Sequence, residues 1–323
     1  MRNRVSATLM SALLAISVAS CVRTKAPALK PTPAVPGSSL WTQPANLRSQ
    51  DLFNGPWGRE DAPDPNATYT LVELKHTGVN PGMTVRDPEG REWSVKQANP
   101  GGLDREAPVE VVVSRLLSAA GYHQPPVYFL PAFTLKTDIG TGTVAGGRFR
   151  LQKETLKDRG AWAWEENPFV GTRPYHGLLV MLMMFNSTDL KNSNTTLYER
   201  QIGNRVERWY VVRDLGAALG DTHRFAPRKG DLEAFERHPY LLGVTNGHVQ
   251  FAYKGWYQKL VQDRITPTDV AWASNLLGQL SDAQWRDAFR AAGYQPTVAG
   301  RFIRKLREKI DHGRALGDRP ATE

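Results

Sequence analysis

Asp189-Leu190-Lys191-Asn192-Ser193-Asn194 and, further on, Arg213-Asp214-Leu215-Gly216 are the two stretches that decide how this 323-residue chain reads. The first follows a dense apolar run, Gly177 to Phe185, which reads as a buried helix and is too short to span a membrane. Between the two stretches, Thr195 to Tyr198 and Arg208 to Val212 read as short strands joined across Gly203-Asn204. Such a hairpin returns the second carboxylate, Asp214, beside the first, Asp189. A carboxylate in this setting orients a hydroxyl nucleophile and accepts its proton. A lysine two residues on, Lys191, neutralises charge on a transferring phosphate. The amide oxygen of Asn194 and the carboxylate of Asp214 are hard oxygen donors of the kind magnesium takes.

Upstream, the chain reads as strands. Tyr69 to Lys75, Met83 to Arg86 and Arg91 to Lys96 alternate or carry β-formers, and turns at Gly78–Gly82 and Asp87–Gly90 separate them. A helix follows, with Pro108 in its first turn, apolar residues from Val109 to Ala120 at helical spacing, and Gly121 as its stop. Tyr128 to Leu135 and Arg148 to Lys153 read as further strands. Beyond Pro168 the pattern turns helical. Thr266-Pro267-Thr268-Asp269 opens one helix, Ser281-Asp282-Ala283-Gln284 has the form of a capping box, and Arg301 to Ile310 is basic and amphipathic. Strands first and helices later predict an α+β fold of two lobes, an antiparallel β-rich front and a mainly helical back.

On these residues the chain resembles the protein kinases. Asp189-Leu190-Lys191…Asn194 is similar to their D-L-K-x-x-N catalytic loop, Asp214-Leu215-Gly216 to the D-F-G metal loop, and Trp93-Ser94-Val95-Lys96 to the V-A-I-K strand. The resemblance implies a two-lobed kinase-like fold and Mg-ATP-dependent transfer to a hydroxyl of a protein or small molecule. It implies Asp189 as catalytic base, Lys191 as a phosphate contact, and Asn194 and Asp214 as Mg2+ ligands. Lys96 would hold the α- and β-phosphates of ATP, with Glu110 as its ion-pair partner and Glu106 as the alternative. Gly78 and Gly82 would cover the phosphates. Ser187 and Thr188 stand where orthodox kinases have His and Arg, the glycine turn lacks the full G-x-G-x-x-G, and no A-P-E follows Asp214. These departures fit the divergent relatives better: HipA-like toxins, secretory-pathway kinases, spore-coat kinases and lipid kinases. A catalytically inactive binding or scaffold protein, or an AMP transferase on the same fold, is the alternative.

The N-terminus stands apart. Arg2 and Arg4 precede an apolar stretch from Val5 to Ala19, which ends in Val18-Ala19-Ser20-Cys21. This is the pattern of a secretory signal, and the last four residues resemble the lipobox of bacterial lipoproteins. The resemblance implies export, cleavage before Cys21 and a membrane anchor on it. Val22 is not acidic, which favours the outer membrane over the inner. The expected organisation is a signal peptide at 1–20, a lipidated cysteine and Pro-rich linker at 21–45, a nucleotide-binding front lobe at 46–160 and a helical lobe at 161–323.

Cys21 is the only cysteine, so no disulfide forms within one chain. The net charge is +9, yet no basic run is interleaved with aromatics, and no nucleic-acid partner is expected. Zinc and serine-hydrolase signatures are absent from the sequence. His176, near the start of the buried helix, reads as structural.

Overall fold

The computed structural model describes residues 28–75, 82–97, 105–221 and 228–317. The signal stretch, Cys21 and Gly78 lie outside them. Two short strands come first, β1 (Lys30–Pro31) and β2 (Ser38–Ser39). The front half then holds β3 (Thr68–Lys75), β4 (Gly82–Arg86), β5 (Glu92–Gln97), α1 (Glu106–Ala119), β6 (Val127–Thr137) and β7 (Gly140–Leu151). Its five strands close into a barrel in the order β3-β4-β5-β7-β6, antiparallel except where β3 meets β6. Closure leaves no free sheet edge, and the interior is filled by Tyr69, Val85, Trp93, Val95, Phe133 and Phe149.

α1 begins at Glu106, which places Pro108 in its first turn as expected. Pro108 is tolerated because the N–H groups of the first turn have no partner within the helix. Val109, Val111, Val112 and Val113 are all fully buried, since the barrel covers one side of α1 and the helical half the other.

The back half contains β8 (Leu156–Asp158), β9 (Glu166–Asn167), α2 (Arg173–Met184), β10 (Thr195–Ile202), β11 (Arg205–Val212), α3 (Leu232–Arg237), β12 (Leu241–Thr245), β13 (His248–Phe251), α4 (Pro267–Leu277), α5 (Asp282–Arg290) and α6 (Pro296–Gly317). α2 is capped by Thr172, whose hydroxyl accepts the Tyr175 N–H, and residues Leu178 to Met184 are buried. Capping boxes at Thr266 and Ser281 start α4 and α5. His176 rests against the first of these, its Nδ1 3.1 Å from Asp269 Oδ2.

The Pro-rich stretch is not the loose spacer its composition predicts. From Leu29 onward it is tied to the body of the protein. Lys30 pairs with Glu166, and Ser38 and Ser39 pair with Arg208 and Trp209 of β11. Trp41 Nε1 donates to the Ala120 carbonyl at the end of α1 (2.7 Å), and Gln284 of α5 donates to the carbonyls of Leu47 (2.8 Å) and Gln50 (2.9 Å). Leu40, Leu47 and Leu52 are buried beneath this strap. Prolines set its extended shape, but the apolar residues between and after them have a surface to bury, about 1.5–3 kcal/mol for each fully buried leucine.

Candidate functional site

Lys96 stands near the end of β5. Alternation along the strand turns Trp93 and Val95 into the barrel and leaves Ser94 and Lys96 on the other face, toward α1. The Lys96 ammonium lies 3.0 Å from Glu106 Oε2, 3.9 Å from Glu110 Oε2 and 3.9 Å from Asp214 Oδ1. The nearer partner is therefore Glu106, not the expected Glu110. The reason is Arg148 of β7, a buried guanidinium whose Nε sits 3.0 Å from Glu110 Oε1 and whose Nη1 donates to the Ser94 carbonyl at 2.8 Å. Burial pulls Arg148 below its ordinary value and Glu110 pushes it back. A buried guanidinium needs a carboxylate, and Glu110 supplies it.

Two more cations join this face. Lys229 pairs with Glu106 Oε1. Lys75 donates to Ser94 Oγ at 3.0 Å, and burial, with Arg150 and Arg148 adding to it, holds its ammonium below the usual value. Lys75, Arg148 and Lys229 carried no local sequence signal, because their partners are distant in the chain. Gly82 pairs directly across from both Lys75 and Lys96. A Cβ there would make only ordinary contacts, the nearest 3.5 Å, so packing does not demand glycine at that position.

The two carboxylate loops are fastened to each other by their main chains. Thr188 N–H donates to the Ala217 carbonyl (2.8 Å), Arg213 N–H to the Asn194 carbonyl (2.8 Å) and Leu219 N–H to the Phe185 carbonyl (2.8 Å). Asn186 Nδ2 donates to the Gly220 carbonyl at 2.8 Å. Asp189 and Asp214 fall between these rungs, so the hairpin does bring the two loops side by side. Asp214 adopts a left-handed backbone, φ 54°. Gly216 passes against the start of α1, where a Cβ would come within 2.7 Å of the Glu106 carbonyl oxygen. That close approach couples the Asp214 loop to the helix that holds Lys96.

Lys309 of α6 underlies the same loops. It is 1% exposed, donates to the Met184 carbonyl and to Asn186 Oδ1, each at 2.9 Å, and lies 4.0 Å over the Phe235 ring. Burial pulls its ammonium well below the usual lysine value. It caps the end of α2 and fixes the residue from which the Asp189 loop starts.

Asn194 Nδ2 donates to the Asp189 carbonyl at 2.9 Å, which commits the nitrogen end of the amide and leaves its oxygen for another donor or a cation. Asp189 Oδ1 is shielded from solvent and meets the Lys191 ammonium at 3.1 Å. Lys191 also stands 4.8 Å over the Trp256 ring. Trp256 follows the last strands, and its N–H donates to the Thr188 carbonyl at 2.9 Å. It forms a wall beside Asp189 that no local pattern predicts, because the two residues are far apart in the chain. Among the described residues no three His, Cys, Asp or Glu side chains gather as a ready-made metal cage. The Asp214 carboxylate and the Asn194 amide oxygen are hard donors that suit magnesium, which keeps water and phosphate oxygens in its shell.

No family model and no curated protein matches the chain. Solved structures do resemble it. It is similar to the proinflammatory kinase CtkA of Helicobacter pylori at 11% identity and a TM-score of 0.38, over 78% of this chain and 98% of that one. It is similar to the Golgi casein kinase at 8% identity and a TM-score of 0.37, over 79% and 74% of the two chains. The Rio2 kinase of Chaetomium thermophilum, solved as an ADP/Mg2+-phosphoaspartate complex, is similar at 12% identity and a TM-score of 0.30, over 75% and 72%. All three are kinases, and at such TM-scores the reading of the site stays with its own geometry: Lys96 of the β-rich half reaches Asp214 of the helical half at 3.9 Å, and main-chain bonds fasten the Asp214 loop to the Asp189 loop.

Proposed function

We propose that the protein is a kinase-like phosphotransferase that moves a phosphoryl group from Mg-ATP to a hydroxyl of a protein or small molecule. The observation that carries this reading is the Lys96 ammonium, shared between Glu106 on α1 and Asp214 beside the Asp189 loop. A lone lysine on a strand is common. A lysine that ties the front sheet to a helix and to a carboxylate across the cleft is what triphosphate binding requires. Lys96 would pair with phosphate oxygens, steadied by Glu106, while Lys75 and Lys229 keep the front wall positive. Asp214 and the Asn194 oxygen would hold magnesium, which supplies charge neutralisation at the phosphates. Asp189 would orient the acceptor hydroxyl and take its proton, and Lys191 would offset the charge that develops on the transferred group.

Export and acylation at Cys21 belong to the same proposal and rest on Val18-Ala19-Ser20-Cys21 alone. They would hold the domain at the bacterial envelope, with the outer membrane favoured. Labelling with a radioactive fatty acid in cells, lost in Cys21→Ser, tests them separately.

The enzymatic test is nucleotide binding with and without magnesium, followed by turnover. Asp214→Ala should lose the magnesium-dependent part of binding. Asp189→Ala should still bind nucleotide, while turnover falls on the order of 10²–10⁴-fold. Full activity in both variants sinks the assignment. Transfer of label from α- but not γ-labelled ATP would make the protein an AMP transferase, and no transfer despite binding would make it a scaffold.

A further inference from the structure

Arg115 lies on α1 nine residues beyond Glu106, which puts it roughly 180° around the helix, on the side away from Lys96. It is 2% exposed. Among the described residues no protein group hydrogen-bonds or ion-pairs with its guanidinium, and Nε is shielded from solvent without a partner. Its nearest favourable neighbours are the Tyr128 ring, 5.1 Å from Cζ, and the charge of Asp51. Burial pushes the guanidinium down to about 10, so it stays charged at neutral pH. A buried charge that cannot neutralise costs several kcal/mol unless something meets it. Asp51 offers its charge but no hydrogen bond: Oδ1 accepts the N–H groups of Phe53 and Asn54, and Oδ2 accepts Asn54 Nδ2, so the guanidinium's donors stay unmet.

Arg115 lines a cavity of about 280 Å³ between α1 and the N-terminal strap. Gln50 and Ser118 also line it, and both reach into a neighbouring cavity of about 380 Å³ beside Arg200 and Trp209. The strap closes tightly over Arg115. Gly55 has φ +78°, and a Cβ on it would lie 2.2 Å from Arg115 Nη1. Burial, a missing protein partner and a cavity therefore coincide at one fixed donor fork.

We propose that this cavity is a binding site for a small, singly charged carboxylate ligand, held by the Arg115 fork with Ser118 and Gln50 as further polar contacts. Two parallel N–H···O bonds are the geometry a guanidinium offers a carboxylate. The Asp51 charge on the same wall selects against a doubly charged anion such as phosphate. The ligand would brace α1 from behind, opposite the face that carries Glu106 and Glu110.

The test uses the full chain and acetate, glycine and inorganic phosphate, titrated against chloride at matched ionic strength. Calorimetry and thermal unfolding serve as readouts, neither of which depends on nucleotide. Acetate or glycine should bind and raise the melting temperature, with phosphate weaker. Arg115→Met removes the fork without leaving a buried charge and should weaken binding at least tenfold. Ser118→Phe fills the cavity while keeping Arg115 and should do the same, which keeps the test alive if the arginine variant does not fold. No difference between acetate, glycine and chloride overturns the site. Phosphate binding as tightly as acetate overturns the assignment to a carboxylate, and undiminished binding in both variants overturns the location.

Discussion

Around the end of β5 and the start of α1, five charged side chains hold one another: Lys96, Glu106, Glu110 and Arg148 from the front half, and Lys229 from the chain just before α3. In the helical half, the loops that carry Asp189 and Asp214 are held mainly by main-chain bonds, with Lys309 beneath them. The two sides of the Lys96–Asp214 contact are thus built mainly from different forces. Ion pairs can exchange partners, and Lys96 already stands within reach of three carboxylates. Main-chain rungs cannot exchange without breaking the loops. The difference teaches which wall can adjust when a charged ligand enters and which one fixes the geometry.

The sharpest way to break this comparison is to split the two glutamates. Glu110→Gln leaves the buried Arg148 without its counter-charge and should cost about 3–5 kcal/mol of stability in denaturant unfolding. Glu106→Gln faces two lysines that keep part of their solvent access, should cost less stability than Glu110→Gln, and should show its effect as weaker nucleotide binding instead. If the two variants exchange these phenotypes, the partner assignment on the front wall is wrong. A second test strikes the junction of the walls. Gly216→Ala drives a methyl into the Glu106 backbone and should cost about 1–3 kcal/mol. It should also lower turnover by displacing Asp214. Unchanged melting and unchanged turnover would mean that the loop and α1 are not coupled.

A third test concerns pH at the outer seam, where the His123 ring stacks on Trp209 of β11 at 4.4 Å and meets Ser39 Oγ at 2.8 Å. Burial, with Arg200 adding to it, pushes this imidazole from 6.5 down to about 4. Between those two values the unfolded chain binds a proton that the folded chain refuses. Stability therefore rises with pH across that window and is lost as pH falls through it. Melting temperature should drop on acidification from pH 7 to 4.5, and less so in His123→Phe. An equal drop in both proteins removes His123 from the account.

Much of this was legible in the chain itself. Period-two alternation marked Tyr69–Lys75 and Arg91–Lys96, and caps marked α4 and α5, because those signals are local. β7 is only half visible in the sequence: Arg148 onward reads as a strand, while its first residues, Gly140 to Gly147, are glycine-rich with no strand pattern, yet the neighbouring β6 gives them a ladder. Glu110 stands out over Glu106 in the sequence because it sits within the helical spacing, which does not show that the distant Arg148 claims it. The strap misled in the opposite sense. Proline density describes an extended backbone, but it says nothing about whether Leu40 or Trp41 finds a surface more than seventy residues away. Arg148, Lys229 and Trp256 were invisible for the same reason: their roles exist only through contacts between segments far apart in sequence.

The strap has a consequence for the order in which the protein can be finished. Its carbonyls at Leu47 and Gln50 wait for Gln284, and the first of these bonds joins residues 237 positions apart. At ribosomal speeds of about 5–20 residues per second, that partner emerges roughly 10–50 s after Leu47 does. For that interval the apolar side chains of the strap have no completed seat. The early part of the chain is therefore the part most in need of a chaperone, and the last helices to be synthesised are the ones that release it.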